Sequence, residues 1–234
     1  MIDVHCHMLP GIDDGSKNVA MSLEMIKRSV EQGVEGIIFT PHFYADMNSP
    51  ETFLQKRERT LAELEANLCS LPKVPVYTTG AEVHYFRGMS RAQGIESLCI
   101  GKSDYMLIEM PFRDWQPNMI DEIEEISKVL GLRVIIAHIE RYFDQDKKLV
   151  KRLLDNPDLL IQCNAEFFIE RPTYSKAVRL LKSGRIDLLG TDSHNLSSRR
   201  PNMAEAVEII EKKDKKGYLN HIVRSGRRIF EEAL

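Results

Sequence analysis

The sequence predicts an α/β fold in which parallel β-strands close into a barrel, and two observations indicate it. Short apolar runs alternate with longer amphipathic segments, which is the pattern of repeated strand–helix units around a parallel sheet. Residue types that bind metals recur where the apolar runs end, as they do at the active-site rim of such barrels. The seven runs are Ile2–Val4, Gly36–Thr40, Val74–Thr79, Tyr105–Ile108, Arg133–Ala137, Leu159–Cys163 and Leu188–Thr191.

Helices are predicted between these runs, where apolar residues recur with helical spacing. Asn18 precedes the first helix and Ser49-Pro50 the second, and both are typical helix starts. Asn156-Pro157 is a stop signal after the fourth. The predicted helices are Val19–Gln32, Glu51–Leu71, Asn118–Leu130, Asp146–Leu154, Tyr174–Lys182 and a helical tail from Pro201 onward.

Composition predicts an ordinary globular protein, with 43% hydrophobic and 29% charged residues. The chain has no internal repeat and no linker rich in Gly, Ser or Pro, so we expect residues 1–234 to form a single domain. A net charge of −3 gives no basic footprint for nucleic acid. No run approaches the roughly 20 apolar residues that span a bilayer, and Met1-Ile2-Asp3 leads straight into the first strand. We therefore expect a cytoplasmic protein without a signal peptide or membrane insertion.

The cysteines argue against a thiol-based active site. Cys6, Cys69, Cys99 and Cys163 are widely scattered and lack the close pairs of a zinc knuckle or a redox motif, so reduced thiols are expected. None has an arginine six positions later. This excludes the Cys-x5-Arg loop that thiol-based phosphatases use to hold phosphate beside a thiolate nucleophile.

Candidate metal ligands follow nearly every predicted strand. In a strand, alternate side chains share a face, so His5 and His7 present two imidazoles side by side, and Asp192 with His194 forms a matching pair. The carboxyl ends of parallel strands converge on one rim of a barrel, which brings these distant positions together. The candidates are His5, His7, Asp14, His42, Glu82, Glu109, His138, Asp192 and His194.

Such a mixture of imidazole and carboxylate suits manganese, iron or zinc, whereas calcium and magnesium prefer oxygen ligands. The set exceeds what one ion can take, which favours two or three ions joined by a bridging carboxylate. Two-metal sites are typical of in-line displacement at phosphorus. Taken alone, Glu82 and Glu109 would be surface carboxylates, and only convergence on the rim favours ligand roles for them.

Other conspicuous residues receive ordinary interpretations. Asp13 is a simple turn residue, and His84 and His221 are solvent histidines. The run Lys212-Lys213-Asp214-Lys215-Lys216 is a solvated helix face. Six aromatic residues follow rim strands and would either frame a substrate ring or pack in the core or loops. They are Phe43, Tyr44, Tyr85, Phe86, Phe112 and Trp115.

The ordered motifs resemble the PHP (polymerase and histidinol phosphatase) superfamily over nearly the whole chain. They look most like the bacterial manganese-dependent protein-tyrosine phosphatases of capsule and exopolysaccharide clusters. The matching segments are His5-Cys6-His7-Met8-Leu9-Pro10-Gly11-Ile12-Asp13-Asp14-Gly15, Thr40-Pro41-His42, Gly80-Ala81-Glu82, His138-Ile139-Glu140-Arg141-Tyr142 and Thr191-Asp192-Ser193-His194-Asn195. The resemblance implies a distorted (β/α)7 barrel with a centre of two or three metal ions, namely Mn²⁺, with Fe or Zn as alternatives.

The resemblance also implies individual roles. One metal site matches His5, His7, Glu82 and Asp192, a second matches Glu82, Glu109 and His138, and a third matches Asp14, His42 and His194. Arg141 and Arg199 match catalytic, phosphate-binding arginines. The sequence departs from the family in two places: Ile139 replaces a usual proline, and Arg199 is followed by Arg200, which is therefore an alternative substrate-binding residue.

The implied activity is hydrolysis of phosphotyrosine by metal-activated hydroxide, without a covalent protein intermediate. The implied partner is a phosphotyrosine protein, namely the tyrosine-rich tail of a membrane-associated autokinase that regulates capsule or exopolysaccharide synthesis. One alternative is another PHP phosphoesterase, such as a histidinol-phosphate phosphatase or a nuclease-like phosphatase. Another is a non-catalytic module with structural metals, although structural zinc sites usually close with four ligands.

Overall fold

The strands of the computed structural model, which describes residues 1–234, curl into a distorted parallel barrel. They are β1 (Ile2–Cys6), β2 (Gly36–Phe39), β3 (His42–Phe43), β4 (Val76–Thr79), β5 (Glu82–His84), β6 (Tyr105–Glu109), β7 (Arg133–Ile136), β8 (Leu160–Asn164) and β9 (Leu188–Gly190). All pairs are parallel, in one sheet of order β1-β2-β4 and another of order β3-β5-β6-β7-β8-β9. The predicted α/β fold class is confirmed.

Each of the seven predicted runs contains a strand, but β3 and β5 were not predicted. They continue the paths of β2 and β4 beyond Pro41 and beyond Gly80-Ala81. Proline has no N–H to give to a neighbouring strand, so the pairing of β2 with β1 stops there, and β3 pairs with β5 instead. These breaks divide the barrel wall into two sheets.

The wall closes between its first and last strands at the rim. Cys6 and Ser193 form a parallel bridge. The amide of Asp192 donates to the carbonyl of His5 at 2.8 Å, and the amide of His7 donates to the carbonyl of Ser193 at 2.9 Å. These bonds fix the His5/His7 pair against the Asp192/His194 pair through the backbone.

The helices cover the outside of the barrel and one of its ends. They are α1 (Val19–Glu31), α2 (Pro50–Glu65), α3 (Pro117–Leu130), α4 (Lys147–Asp155), α5 (Glu166–Ile169), α6 (Arg171–Ser183), α7 (Met203–Lys213) and α8 (Tyr218–Ala233). The Asn18 side chain accepts from the amide of Met21, and the Ser49 side chain accepts from that of Thr52, which confirms both predicted starts. The four-residue α5 is too short to produce a helical repeat and was not predicted. No helix combines the length and apolar character needed to cross a bilayer.

Two buried apolar clusters lie on the two faces of the wall. The smaller joins alternate strand residues, such as Val4, Tyr105 and Leu107, to Ile229 and Phe230 of α8. Tyr105 and Leu107 share a face of β6 with Glu109. The candidate ligands therefore lie directly beyond a dry apolar plug, at the carboxyl ends of the strands.

Gly101 provides a test of how closely α8 seats against the wall. Its φ is +54°, and an added Cβ would lie 1.9 Å from the carbonyl oxygen of Ala233. Gly101→Ala should lower the free energy of unfolding by about 2–4 kcal/mol, because a left-handed conformation and a backbone clash add together. Denaturant unfolding followed by circular dichroism measures this loss.

Gly33→Ala is the matched control. Gly33 also has a positive φ, of +82°, but nothing lies within 4 Å of its added Cβ. Gly33→Ala should lower the free energy of unfolding by only about 1 kcal/mol. Equal losses for the two variants would show that the close approach of α8 at Gly101 does not contribute.

Candidate metal centre

The innermost part of the site is a buried group of two histidines and two carboxylates, His5, His7, Glu82 and Asp192. One ligand atom of each lies within 4.8 Å of those of the others. Glu82 Oε2 lies 3.2 Å from Nε2 of both His5 and His7. Asp192 Oδ1 lies 3.6 Å from His5 Nε2 and 3.4 Å from His7 Nε2. These residues come from β1, β5 and the end of β9, so the barrel topology alone brings them together.

A second group lies toward solvent and consists of His7, Asp14, His42 and His194. Asp14 Oδ1 is 3.5 Å from His42 Nε2 and 3.4 Å from His194 Nε2. The Asp14 side chain is 66% exposed, whereas that of His194 is 2% exposed. Asp14 therefore covers the outer side of this group from the turn after β1.

Glu82 connects these residues to a third group, which also contains His138 and Glu109. Its Oε1 lies 2.8 Å from His138 Nε2, which is also 3.5 Å from Glu109 Oε1. His42 Nδ1 lies 3.0 Å from Glu82 Oε2, so His42 reaches the Glu82–Glu109 pair as well as Asp14. All nine predicted ligands thus gather at one rim, with Glu82 at the centre.

Two ligands lie on strained backbone. His138 and Asp192 are the two non-glycine residues with positive φ, at +29° and +50°. They lie two residues after the ends of β7 and β9. Such conformations cost about 1–3 kcal/mol and persist where the surroundings demand them, which is common at functional sites.

The residues fit a metal centre because polar atoms are buried there without well-directed hydrogen bonds. Glu82 Oε2, His42 Nδ1 and His194 Nε2 are buried and form no well-directed hydrogen bond, although the first two atoms lie 3.0 Å apart. A buried, unpartnered polar atom costs free energy, and bound cations would satisfy all three. The donor set of imidazoles and carboxylates matches manganese, iron or zinc.

The electrostatics of the group also favour a bound cation. Burial alone would raise the pKa of Glu82, but the imidazoles of His5 and His42 hold that pKa well below its usual range. Burial would likewise lower the pKa of His138, but hydrogen bonds to Glu109 and Glu82 raise the pKa to about 9. The carboxylates therefore stay ionised and draw positive charge toward themselves, which divalent ions would supply.

His194 has the opposite environment. Burial and the positive field of His7 lower the pKa of His194 to about 2. Its Nδ1 lies 2.9 Å from the carbonyl oxygen of Asp192. That carbonyl fixes the N–H tautomer and leaves a lone pair on Nε2, the form in which histidine binds metals.

The sequence interpretation of Asp13 as a simple turn residue was incomplete. Asp13 Oδ2 lies 2.8 Å from His7 Nδ1 and accepts from the amide of His42 at 3.0 Å. Its other oxygen accepts from the amide of Gly15 at 3.0 Å. Asp13 therefore orients the His7 ring, as carboxylates behind metal-binding histidines commonly do.

His84 was expected to be a solvent histidine, and this expectation was wrong. Its Nδ1 lies 2.8 Å from Glu109 Oε2, and its side chain is only 29% exposed. The sequence spacing could have predicted this contact, because His84 is two residues after Glu82 on the same strand and shares its face.

Strand β8 contributes no predicted ligand but supports three of them. Gln162 Oε1 lies 3.2 Å from His5 Nδ1 and accepts from the amide of His138 at 2.7 Å. Gln162 also donates to Asn164, whose amide group donates to Asp192 Oδ2 at 2.8 Å. Two polar side chains in an otherwise apolar strand were the available signal for this network.

The three candidate arginines, Arg141, Arg199 and Arg200, differ in their ion-pair partners. The Arg141 guanidinium donates to Asp192 Oδ2 at 2.6 Å, and that of Arg199 donates to Asp192 Oδ1 at 2.7 Å. Arg200 instead forms a two-pronged ion pair with Glu205, at 2.6 and 3.1 Å. Two guanidinium groups thus flank the centre, while Arg200 is engaged elsewhere.

The six aromatic residues have different surroundings. Phe43, Tyr85 and Trp115 are buried, and Phe86 packs against the core. The Tyr44 ring lies 5.3 Å from that of His42. The Phe112 ring is 56% exposed and is stacked 6.3 Å from the His138 ring at an interplanar angle of 19°. Phe112 therefore offers a free aromatic face beside the centre.

The cysteines do not supply a nucleophile. Cys6 is fully buried beside the ligands, and burial raises the pKa of its thiol well above the usual value. Burial also raises the pKa of Cys99 to about 12. Cys69 is the exposed cysteine and lies just after α2. A thiolate is thus absent from the site, in agreement with the missing Cys-x5-Arg motif.

Comparison with known proteins gives consistent relatives. A family model described as capsular polysaccharide synthesis, CpsB/CapC, matches residues 1–229. Tyrosine-protein phosphatase CpsB of Streptococcus pneumoniae is 32% identical over 230 residues, covering 91% of this chain and 90% of that protein. Tyrosine-protein phosphatase YwqE of Bacillus subtilis is 27% identical over 227 residues, covering 91% and 84%.

The fold has solved counterparts. One comes from the crystal structures of YwqE and CpsB, described as metal-dependent tyrosine phosphatases. It superposes with a TM-score of 0.81 and 23% identity, covering all of this chain and 96% of that one. A TatD-like protein of Archaeoglobus fulgidus shares the fold more distantly, with a TM-score of 0.52 and 13% identity. Since the family model covers nearly the whole chain, the protein belongs to the CpsB/CapC family of capsular polysaccharide synthesis proteins.

Proposed function

We propose that this protein is a metal-dependent protein-tyrosine phosphatase that acts in capsule or exopolysaccharide synthesis. The observation that carries the proposal is the convergence of nine imidazole and carboxylate side chains beneath the guanidinium groups of Arg141 and Arg199. The names of the relatives CpsB and YwqE support phosphotyrosine as the substrate group.

The assignment of ligands follows the geometry of the chain. His5, His7, Glu82 and Asp192 would hold one ion, Glu82, Glu109 and His138 a second, and Asp14, His42 and His194 a third. Ions held by these residues would supply positive charge for the phosphoryl oxygens and a water of lowered pKa. Glu82, with four histidines around its two oxygens, is the bridging ligand.

The arginines bind the phosphoryl group. A guanidinium stays protonated and has no lone pair for a metal, so Arg141 and Arg199 act on the anion. Each donates to a different oxygen of Asp192, and their remaining N–H groups would donate to the phosphoryl group. Planar guanidinium groups match phosphate geometry and stabilise the charge that develops during transfer.

Phe112 provides a contact surface for an aromatic leaving group. Its exposed face lies beside His138 and would stack on the phenyl ring of a phosphotyrosine. A tyrosine hydroxyl has a pKa of about 10, so the phenolate departs with less help from a general acid than a serine alkoxide needs. The centre therefore has what an aryl phosphate requires without a dedicated proton donor.

We further propose that the ions are manganese: the imidazole and carboxylate ligands fit manganese, iron or zinc, and the motif resemblance favours manganese among them. The motif resemblance supports a membrane-associated tyrosine autokinase as the source of the phosphotyrosine substrate. A cytoplasmic location agrees with four cysteines that form no disulfide.

Metal removal tests the proposal directly. Stripping the ions should lower kcat/KM for a phosphotyrosine peptide by more than about 100-fold, because metals supply several kcal/mol of transition-state stabilisation. Manganese should restore the most activity among the ions that are added back. Full activity of verified metal-free protein, or equally strong inhibition by thiol alkylation, would refute it. Histidinol phosphate as a parallel substrate tests the alternative phosphoesterase activity.

Substitution of the arginines separates phosphate binding from metal binding. Arg141→Ala and Arg199→Ala should each lower kcat/KM by about 10²–10³, since each removes a charged donor to the phosphoryl group. Metal content should stay unchanged. Arg200→Ala is the matched control, and it should stay within about twofold of wild type because Arg200 pairs with Glu205. An exchange of the Arg199 and Arg200 effects would assign the phosphate contact to Arg200.

The role of Phe112 is measurable as selectivity. Phe112→Ala should lower the kcat/KM for phosphotyrosine relative to phosphoserine peptides by about 2–10-fold, because an aromatic contact contributes about 0.5–1.5 kcal/mol. Val129→Ala, which removes a 55% exposed apolar side chain on α3, is the control and should leave the ratio unchanged. An unaltered ratio in Phe112→Ala would show that the ring does not contact the substrate.

A further inference from the structure

A groove lies on the outer surface between α4 and α6. Its volume is about 540 Å³. Its apolar lining consists of Phe143, Val150, Leu154 and Leu180. Its polar lining consists of Lys147, Lys151, Asp155, Lys176, Arg179 and Ser183. The groove thus combines an apolar floor with a rim that is mainly basic.

The positive charge at this rim is largely uncompensated. Lys147, Lys176 and Arg179 are exposed, and none of them forms an ion pair within the chain. The one carboxylate of the lining, Asp155, pairs with Lys151. Outside the groove lining, Arg152 of α4 pairs with both Asp121 and Glu124. A chain with a net charge of −3 therefore keeps a local excess of cations here.

The groove begins close to the metal centre. Phe143 directly follows the turn Ile139–Tyr142 that carries Arg141, and its ring packs 5.9 Å from that of Phe167 in α5. Lys147, in the first turn of α4, also lines the groove, whereas Lys176 and Arg179 lie further along α6. An extended chain bound at the centre can therefore continue past Phe143 into the groove.

We propose that this groove binds an acidic segment of the substrate protein that lies several residues from the phosphotyrosine and also carries an apolar side chain. The inference rests on the proposed phosphatase function and adds a second contact for the same substrate. Acidic side chains would meet Lys147, Lys176 and Arg179, which gives orientation and fast association. The apolar side chain would occupy the floor.

The shape of the groove favours a peptide over a lipid surface. Val150 and Leu180 are 6% and 8% exposed and lie recessed between the two helices. A planar membrane would contact the exposed cations but would leave this floor empty. A single extended peptide chain can contact both the exposed cations and the recessed apolar floor.

The test compares two phosphotyrosine peptides that differ only in a flanking segment. In the first peptide this segment is acidic and contains one leucine. In the second it is neutral, and serine replaces the leucine. Wild-type holoenzyme at low salt should prefer the acidic peptide by about tenfold in kcat/KM, with the preference decreasing as salt rises. In Lys147→Glu/Lys176→Glu/Arg179→Glu this ratio should fall to one or below. The control, Lys73→Glu/Lys215→Glu/Lys216→Glu, makes the same change in net charge at other exposed lysines and should keep the preference.

The outcomes separate the groove from the active site. Equal kcat/KM for both peptides in wild type, or an equal loss in the control variant, would overturn the groove proposal while leaving the phosphatase function intact. A groove variant that keeps the peptide preference but loses binding to phosphatidylglycerol vesicles would also overturn it and would identify a membrane contact. Failure of the wild-type holoenzyme to hydrolyse either peptide would contradict the proposed function itself.

Discussion

The organisation of this protein depends on one electrostatic constraint, which is the burial of several carboxylates against several imidazoles at a single rim. Glu82 and Asp192 are almost completely buried and ionised, and Glu82 Oε2 forms no well-directed hydrogen bond. Buried charge of this kind persists only when it is paired. Arg141 and Arg199 pair with Asp192, but Glu82 has only imidazoles around it. Divalent ions bound here would complete the charge balance, and the remaining features of the rim would position them.

The barrel supplies that position through its backbone. Hydrogen bonds between the ends of β1 and β9 fix two ligand pairs against each other. The breaks after β2 and β4 turn short continuing strands toward the rim, and these carry His42 and Glu82. Behind the ligands, Asp13 and Gln162 accept from ring and backbone donors, so the imidazoles have fixed tautomers and orientations.

Residue type and strand period predicted the ligands, but not the contacts behind them. Eight of the nine predicted ligands lie at or just after the ends of apolar runs, so the convergence of parallel strand ends was sufficient to group them, whereas Asp14 in the turn after the first strand was assigned only from the motif resemblance. The roles of Asp13 and Gln162 depend on tertiary contacts with His7 and His5, and no local pattern encodes these. Strands β3 and β5 were too short to produce an alternating pattern. The adjacent Arg199 and Arg200 are equivalent in sequence, and only the ion pair of Arg200 with Glu205 distinguishes them.

The rim carries the charged ligand groups and the aromatic surface of Phe112, and the outer groove is accessible to a peptide. Together these features fit an enzyme that acts on a phosphorylated aryl group of a protein. Its central element is the bridging carboxylate, and metal stoichiometry of purified variants tests that element most directly. Glu82→Ala should lose more than one ion per chain, because its two oxygens face two of the three proposed metal sites, whereas Asp14→Ala should lose only the outer ion. Equal stoichiometry in the two variants, with both still folded, would contradict the account.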